Sequence, residues 1–361
     1  MEKNLVKLGI MGCWRGLDAV VGSKDDERLC VRALCDKDAE KLEKAKKEFE
    51  AAPRHGYDLL ICDTYEDLLA TDIDAVYIAN YAPEHVPFVI KALEAGKHVI
   101  SEIPSVFSLE QAKQLKDAVK AHPDLVYMCA ENCCYWAFIE AWKKMYEDGR
   151  LGEIVYAEAE YLHCTPQEHY EPLDPAHWRT SLNAIYYITH ELGPLLYILN
   201  DRVRTVTCLE TDIRCNPYRT GAETGVALIK TEKGTIIRIL INFGSYVGFD
   251  HNYRLCGTRG TVQTDANSPL DTAHTFAALS DVPGSIDKKI ELPLALSNPG
   301  ESTVGHGGAE PKMIGDFLDC LLNGTKPPLD VDFALDISLP GILAHESAAN
   351  GGKTIEMPKI D

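Results

Sequence analysis

No stretch of this chain reaches the roughly 18 consecutive apolar residues that a membrane-spanning helix needs, so no membrane partner is expected. Positive charge is in short supply. The 36 Lys and Arg face 55 Asp and Glu, for a net charge of −19. That balance suits neither nucleic-acid phosphates nor an anionic membrane surface, so neither is expected as a partner. Cysteine is plentiful, at 12 residues, but lacks the spacing of a metal site. Cys129, Cys133 and Cys134 have no second C-x₂₋₄-C or His pair to complete a zinc centre, so no metal is expected. Reduced, mostly buried thiols in a cytoplasmic protein are expected instead. Internal repeats, low-complexity tracts and linkers are also missing. The opening MEKNLVKLGIMGCWRG has only a very short apolar stretch between lysines. It reads as a first strand and not as a signal peptide.

What is present suits a globular protein. The hydrophobic fraction is 45% and the charged fraction 25%, and 361 residues suggest about two domains. Apolar runs at Lys7–Met11, Cys30–Leu34, Asp72–Asn80, Lys97–Ser101 and Val126–Ala130 read as strands. Between them, Glu40–Phe49, Glu84–Ala95 and a segment from Ser108 to Ala121 have helical spacing. Gly96 marks a C-terminal cap, and Ser108 with Gln111 a capping-box start. Such alternation implies crossover connections and a parallel sheet, a dinucleotide-type (Rossmann) domain over residues 1–125. After that the pattern changes. Phe138–Asp148 is helical and Glu153–Leu162 alternates as a long strand. VTCLET, TGVALIKT, GTIIRILINF and NYRLCG then follow one another between Thr205 and Thr264. Helical segments at Lys312–Leu322 and Phe333–Asn350 close the chain. Residues 126–361 therefore read as an α/β domain with an open, mostly antiparallel sheet.

The first turn, Gly12-Cys13-Trp14-Arg15-Gly16, directly follows a strand. Glycines at such a turn let the backbone approach a pyrophosphate. The usual G-x-G-x-x-G spacing is not kept: either Trp14 stands where the second glycine belongs, or the loop is one residue short. Asp36 ends the second strand, 24 positions after Gly12 and near the offset of the acid that takes ribose hydroxyls. An acid there repels a 2′-phosphate, so NAD is the expected cofactor, although Lys37 follows directly.

Ala95–Pro104 (AGKHVISEIP), after Asp74–His85 (DAVYIANYAPEH), resembles the Gfo/Idh/MocA oxidoreductases. The resemblance implies an N-terminal Rossmann domain, a C-terminal open-sheet domain and nicotinamide-dependent chemistry on sugar hydroxyls. Members commonly carry Glu-Lys-Pro and Asp-x-x-x-His. Here the first is Glu102-Ile103-Pro104, and in the second His190 is kept while Tyr186 replaces the Asp. ENCCYW (Glu131–Trp136), GRLGEIVYAEAEYLH (Gly149–His163), YITHELGP (Tyr187–Pro194), GTRG (Gly257–Gly260) and HGG (His306–Gly308) occur in that order. Together they are similar to the NAD-dependent glycosidase branch, glycoside hydrolase family 109. That branch usually has Tyr-Pro-Thr-His-Gly, and Ile188 and Glu191 replace its Pro and Gly here.

The resemblance implies a redox-neutral cycle. A sugar is oxidised at C3, which acidifies the C2 proton. Elimination expels the C1 substituent, water adds, and C3 is reduced again. Such chemistry needs proton-transfer groups and not the paired carboxylates of ordinary glycosidases. His190, Tyr187, Tyr135 and Glu102 are the catalytic candidates. Gly12, Trp14, Arg15, Gly16, Asp36, Asn80, His85 and Glu102 are the expected cofactor contacts. His163, Trp178, Arg179 and His306 are candidates for the sugar, Arg179 for a carboxylate if the substrate is a uronic acid. Each has a plainer reading: a packing Tyr or Trp, a capping His, or an ion pair for Glu102 and Arg179. Net dehydrogenation to a 3-keto sugar and a non-catalytic dinucleotide sensor remain alternatives. A homodimer or homotetramer is expected, because relatives bury the open sheet face against another subunit.

Overall fold

The computed structural model describes residues 4–50, 56–163, 176–245, 250–265, 275–292 and 304–360. They form two compact units. One comprises Met1–Asn132, Ser302–Leu335 and Ile360–Asp361, and the other Cys133–Glu301 and Asp336–Lys359.

The first unit is built on strands β1 (Val6–Met11), β2 (Leu29–Cys35), β3 (Leu60–Ile61), β4 (Ala75–Ile78), β5 (His98–Ser101) and β6 (Tyr127–Cys129). Their order is β3-β2-β1-β4-β5-β6, and every pairing is parallel. Strand β4 is buried throughout, as a central strand covered on both faces must be. It is shorter than the expected Asp72–Asn80. Asp74 accepts from the Lys7 backbone N–H and Asp72 pairs with Lys7 and Arg32, so both acids stay at the solvent edge. Helices His85–Glu94 and Leu109–Ala121 follow β4 and β5. Ser108 caps the second by accepting from Gln111 N–H at 3.1 Å, while Gln111 reaches back to Phe107 N–H at 2.7 Å. Gly96, at φ +72°, ends the first. Helix Ala309–Asn323 returns to this unit and packs on β1 and on helix Arg15–Val20.

The second unit is a mixed sheet of nine strands among the described residues. These are β7 (Ile154–Leu162), β8 (Val203–Glu210), β9 (Thr224–Thr231), β10 (Ile236–Asn242), β11 (Asp250–Gly257), β12 (Gly260–Thr264), β13 (Thr275–Leu279), β14 (Ile290–Leu292) and β15 (Ile355–Glu356). The order is β14-β13-β12-β11-β7-β10-β9-β8-β15. Only β7 and β10 run parallel. The two-residue period sorts the side chains. Ala157, Ala159, Tyr161, Ile237, Ile239, Ile241, His251 and Tyr253 face the core, where helix Thr189–Leu199 packs on β7. The opposite face carries Leu209, Val226, Leu228 and Ile236 in the open, beside a ladder of Arg238 and Arg254 on Glu158. Strands β13 and β14 went unread in the sequence because they are short and carry no marked alternation.

Candidate functional site

In a doubly wound sheet, ligands bind outside the carboxyl ends of the strands, where the order reverses. Here that switch lies between β1 and β4. Gly12 follows β1 at φ +94°, and a Cβ on it would lie 2.4 Å from the Ala79 carbonyl. Only glycine lets this loop cross the end of β4 so closely. Gly16 is required by packing, since a Cβ on it would meet Ile10 at 2.5 Å. The loop is tied down by Asp36, which accepts from Cys13 N–H at 2.6 Å and Asp38 N–H at 2.8 Å. Each carboxylate oxygen keeps a further lone pair for a hydroxyl. Trp14 is 58% exposed on the rim, with the Lys41 ammonium 5.6 Å from its ring.

At the end of β4, the Asn80 side chain donates to Glu84 while its amide oxygen, Oδ1, is buried with no donor. His85 is buried, and its ring nitrogens lie 3.1 Å from Pro104 O and 3.3 Å from Asn80 O. The ring thus sits between the segments that follow β4 and β5. Burial lowers its pKa.

Glu102, just after β5, accepts from Tyr77 OH at 2.7 Å and pairs with Arg15 Nε at 2.7 Å. Arg15 also reaches Glu310 at 3.0 Å, and its remaining nitrogen lies 3.3 Å from His306 Nδ1. Burial opposes the Arg15 charge, but Glu102, Tyr77 and Glu310 outweigh it and raise its pKa. Burial would likewise raise the Glu310 carboxyl, yet His306 and Arg15 hold it at about 2. His306, a candidate for the sugar, lies with Nδ1 2.5 Å from Glu310. Tyr77 and Glu310 went unnoticed in the sequence. The only signal for Glu310 is its place one helical turn after His306.

The second unit assembles rings. Tyr187 lies in the 3₁₀ turn Ala184–Ile188, which runs directly into the helix carrying His190. The two rings lie 6.1 Å apart. His190 Nδ1 is 3.3 Å from Cys133 Sγ, and its backbone carbonyl accepts from Tyr253 OH at 2.7 Å. Tyr161 approaches the His190 ring edge-on at 5.8 Å and stacks face to face on His251 at 4.4 Å. His251 and Glu191, almost fully buried, meet at 2.5 Å. Burial raises the Tyr161 pKa well above its ordinary value, with Tyr187 and Glu191 adding to it, so it stays a phenol.

His163 stands 5.5 Å from Tyr161, and the Arg179 guanidinium lies 4.7 Å from Trp178 and 5.3 Å from Tyr187. His163, Trp178, Arg179 and His190 are half-exposed beside the buried rings, and Tyr135 is buried at the end of the turn Asn132–Tyr135. Tyr186 turns away from this group, 5.9 Å from His345. Nothing local in the sequence marks Tyr161 or His251 as site residues. They are direct partners across β7 and β11, a pairing that only the register reveals.

A glycine cradle that any Cβ would fill, an acid at the end of β2 and a buried acceptor without a donor at the end of β4 fit a dinucleotide. The class is that of a dinucleotide-dependent oxidoreductase. Residues 6–129 match the family model described as oxidoreductase family, NAD-binding Rossmann fold, and residues 139–263 match the GFO/IDH/MocA C-terminal domain. The chain belongs to the Gfo/Idh/MocA oxidoreductases and is an NAD-dependent enzyme. It is 29% identical to glycosyl hydrolase family 109 protein 3 of Phocaeicola vulgatus, over 91% of this chain and 67% of that one. It is 26% identical to glycosyl hydrolase family 109 protein 1 of Bacteroides thetaiotaomicron, over 98% of this chain and 84% of that one. Among solved structures, a levoglucosan dehydrogenase in complex with NADH and L-sorbose superimposes with a TM-score of 0.84 at 18% identity, covering 99% of this chain and 100% of that one. The scyllo-inositol dehydrogenase of Lactobacillus casei with bound NAD(H) and scyllo-inositol gives 0.75 at 18% identity, covering 98% and 99%. At that identity the likeness shows the fold. No helix among the described residues is long and apolar enough to cross a membrane.

Proposed function

We propose that this enzyme cleaves a glycoside without net oxidation, passing through a temporary ketone at C3 of the sugar. The observation that carries the reading is His190, a half-exposed imidazole held at Nδ1 by Cys133 and surrounded by buried rings. Its likeness to glycosyl hydrolase family 109 proteins over most of its length supports the same reading.

Gly12, Asp36 and Asn80 would hold NAD, which would supply a reversible hydride acceptor. With Nδ1 turned to Cys133, Nε2 of His190 is assigned the exchange of the 3-hydroxyl proton. Tyr187 and Tyr135 are the candidates for the C2 proton, and Tyr161, held as a phenol, serves as a hydrogen-bond donor. Trp178 offers a ring to a sugar face, with Arg179 and His163 at its polar edge. The first 125 residues are assigned to the cofactor, braced by Glu310 and His306, and the remaining residues to the sugar. The apolar patch of Leu209, Val226 and Leu228 supports burial of the open sheet in a homodimer or homotetramer. The buried free thiols suit a reducing cytoplasm.

The test offers a panel of α- and β-glycosides to the purified protein without added NAD. Release of the aglycone over many cycles, lost in His190→Ala, is expected. One equivalent of NADH followed by a halt would mean net dehydrogenation, and inactivity towards every sugar would end the proposal.

A further inference from the structure

The ends of β2 and β5 occupy related places in the sheet. Each strand lies one removed from the switch between β1 and β4, and each is followed at once by an acid: Asp36 after Cys35, Glu102 after Ser101. A sheet of this order is two mononucleotide-binding halves set back to back. By that symmetry, Asp36 serves the ribose on the adenine side and Glu102 the ribose on the nicotinamide side.

The two acids are fixed by different means. Asp36 takes backbone N–H groups from Cys13 and Asp38. Glu102 takes Tyr77 OH and the guanidinium of Arg15, which rises from the glycine loop itself. Arg15 is in turn braced by Glu310, whose oxygens also take His306 N–H at 2.8 Å and Asn132 Nδ2 at 3.2 Å.

We propose that Arg15 is a positioning residue for the nicotinamide half of the cofactor: it holds Glu102 as an oriented carboxylate, and Glu310 with His306 holds Arg15. A side chain as buried as Glu102, 8% exposed, needs polar partners to stay aimed. Arg15 supplies one. Its Nε and Nη2 are already spent on Glu102 and Glu310, so its reach towards a pyrophosphate is small. A basic residue in a glycine loop would ordinarily be read as a phosphate contact, and the two readings predict different ligand dependence.

The experiment compares two ligands by fluorescence titration. NADH spans both halves of the site, while ADP, used as competitor, carries the adenosine and pyrophosphate but no nicotinamide riboside. Arg15→Gln is expected to weaken NADH binding about tenfold, the scale of one charge-assisted hydrogen bond, and to leave ADP within about twofold. Glu102→Gln should do the same, and the double variant should be no weaker than either single one. Because Arg15→Gln leaves Glu310 without its cation, Arg15→Gln/Glu310→Gln is made alongside, its folding followed by thermal melting, and the same split between NADH and ADP is expected. An equal loss of NADH and ADP would make Arg15 a phosphate contact and overturn the proposal. So would NADH affinity that is unchanged in the folded double variant, since Arg15 would then only brace the fold.

Discussion

The two units solve the same problem with different materials. The dinucleotide unit fixes its acids with charge and backbone donors, as in the Arg15–Glu102–Glu310 group and the Asp36 loop. The second unit fixes His190 with rings and one thiol, and its buried Glu191–His251 pair reaches this group only through rings, His251 stacking on Tyr161 and lying 6.2 Å from the His190 ring. A charged network holds direction, which a cofactor with fixed hydroxyls requires. An aromatic wall holds shape and excludes water, which suits a sugar ring undergoing proton transfer. The difference teaches that charge removal should harm the first unit's binding, whereas in the second a charge pair can be exchanged for apolar bulk.

The largest expected effect is at Gly12. Gly12→Ala places a methyl group 2.4 Å from a backbone carbonyl at a positive φ, so NADH titration should show binding abolished and thermal melting a marked loss of stability. Retained binding would mean that the loop does not carry the cofactor. Next comes His251→Phe, which removes the partner of a buried carboxylate. Denaturant melts should register about 3–5 kcal/mol of lost stability, with recovery in Glu191→Leu/His251→Phe. If the double variant recovers nothing, the two units do not differ in the way described.

Third is the acid limb of stability. The Glu310 carboxyl is held at about 2 in the folded protein against an ordinary 4.5, so the unfolded chain binds the proton first. Its contribution is complete above about pH 4.5 and is lost as pH falls towards 2, amounting to up to about 3 kcal/mol. Glu310→Gln should flatten that part of the stability–pH curve; an unchanged slope would count against the network. The smallest effect belongs outside both sites. Ser108→Ala removes a helix cap, costing about 1 kcal/mol in melts without altering NADH binding.

Much of the fold was legible because its signals are local. Gly12, Asp36 and the alternation of strands and helices lie in short windows, as do Gly96 and the Ser108 cap. The departures have equally local causes. Strand β4 is shortened by Asp72 and Asp74, whose charges find partners at the solvent edge. The site was legible where one segment supplies the group, as with Tyr187 and His190. It was hidden where partners come from distant segments. Glu191 stood out in the sequence only as a replaced glycine, and its reason, His251, lies 60 positions away on β11. The partner of Arg15 was hidden in the same way, because Glu310 lies 295 positions on.

The central claim is that the sugar leaves as it came at C3, having lost only its C1 substituent. It is tested most directly by turning over a glycoside labelled with deuterium at C3 in ordinary water, and the unlabelled glycoside in heavy water, each without added NAD. The account predicts product sugar that keeps its C3 label in the first case and gains one solvent deuterium at C2 in the second. Loss of the C3 label with a 3-keto product and no exchange at C2 would contradict it.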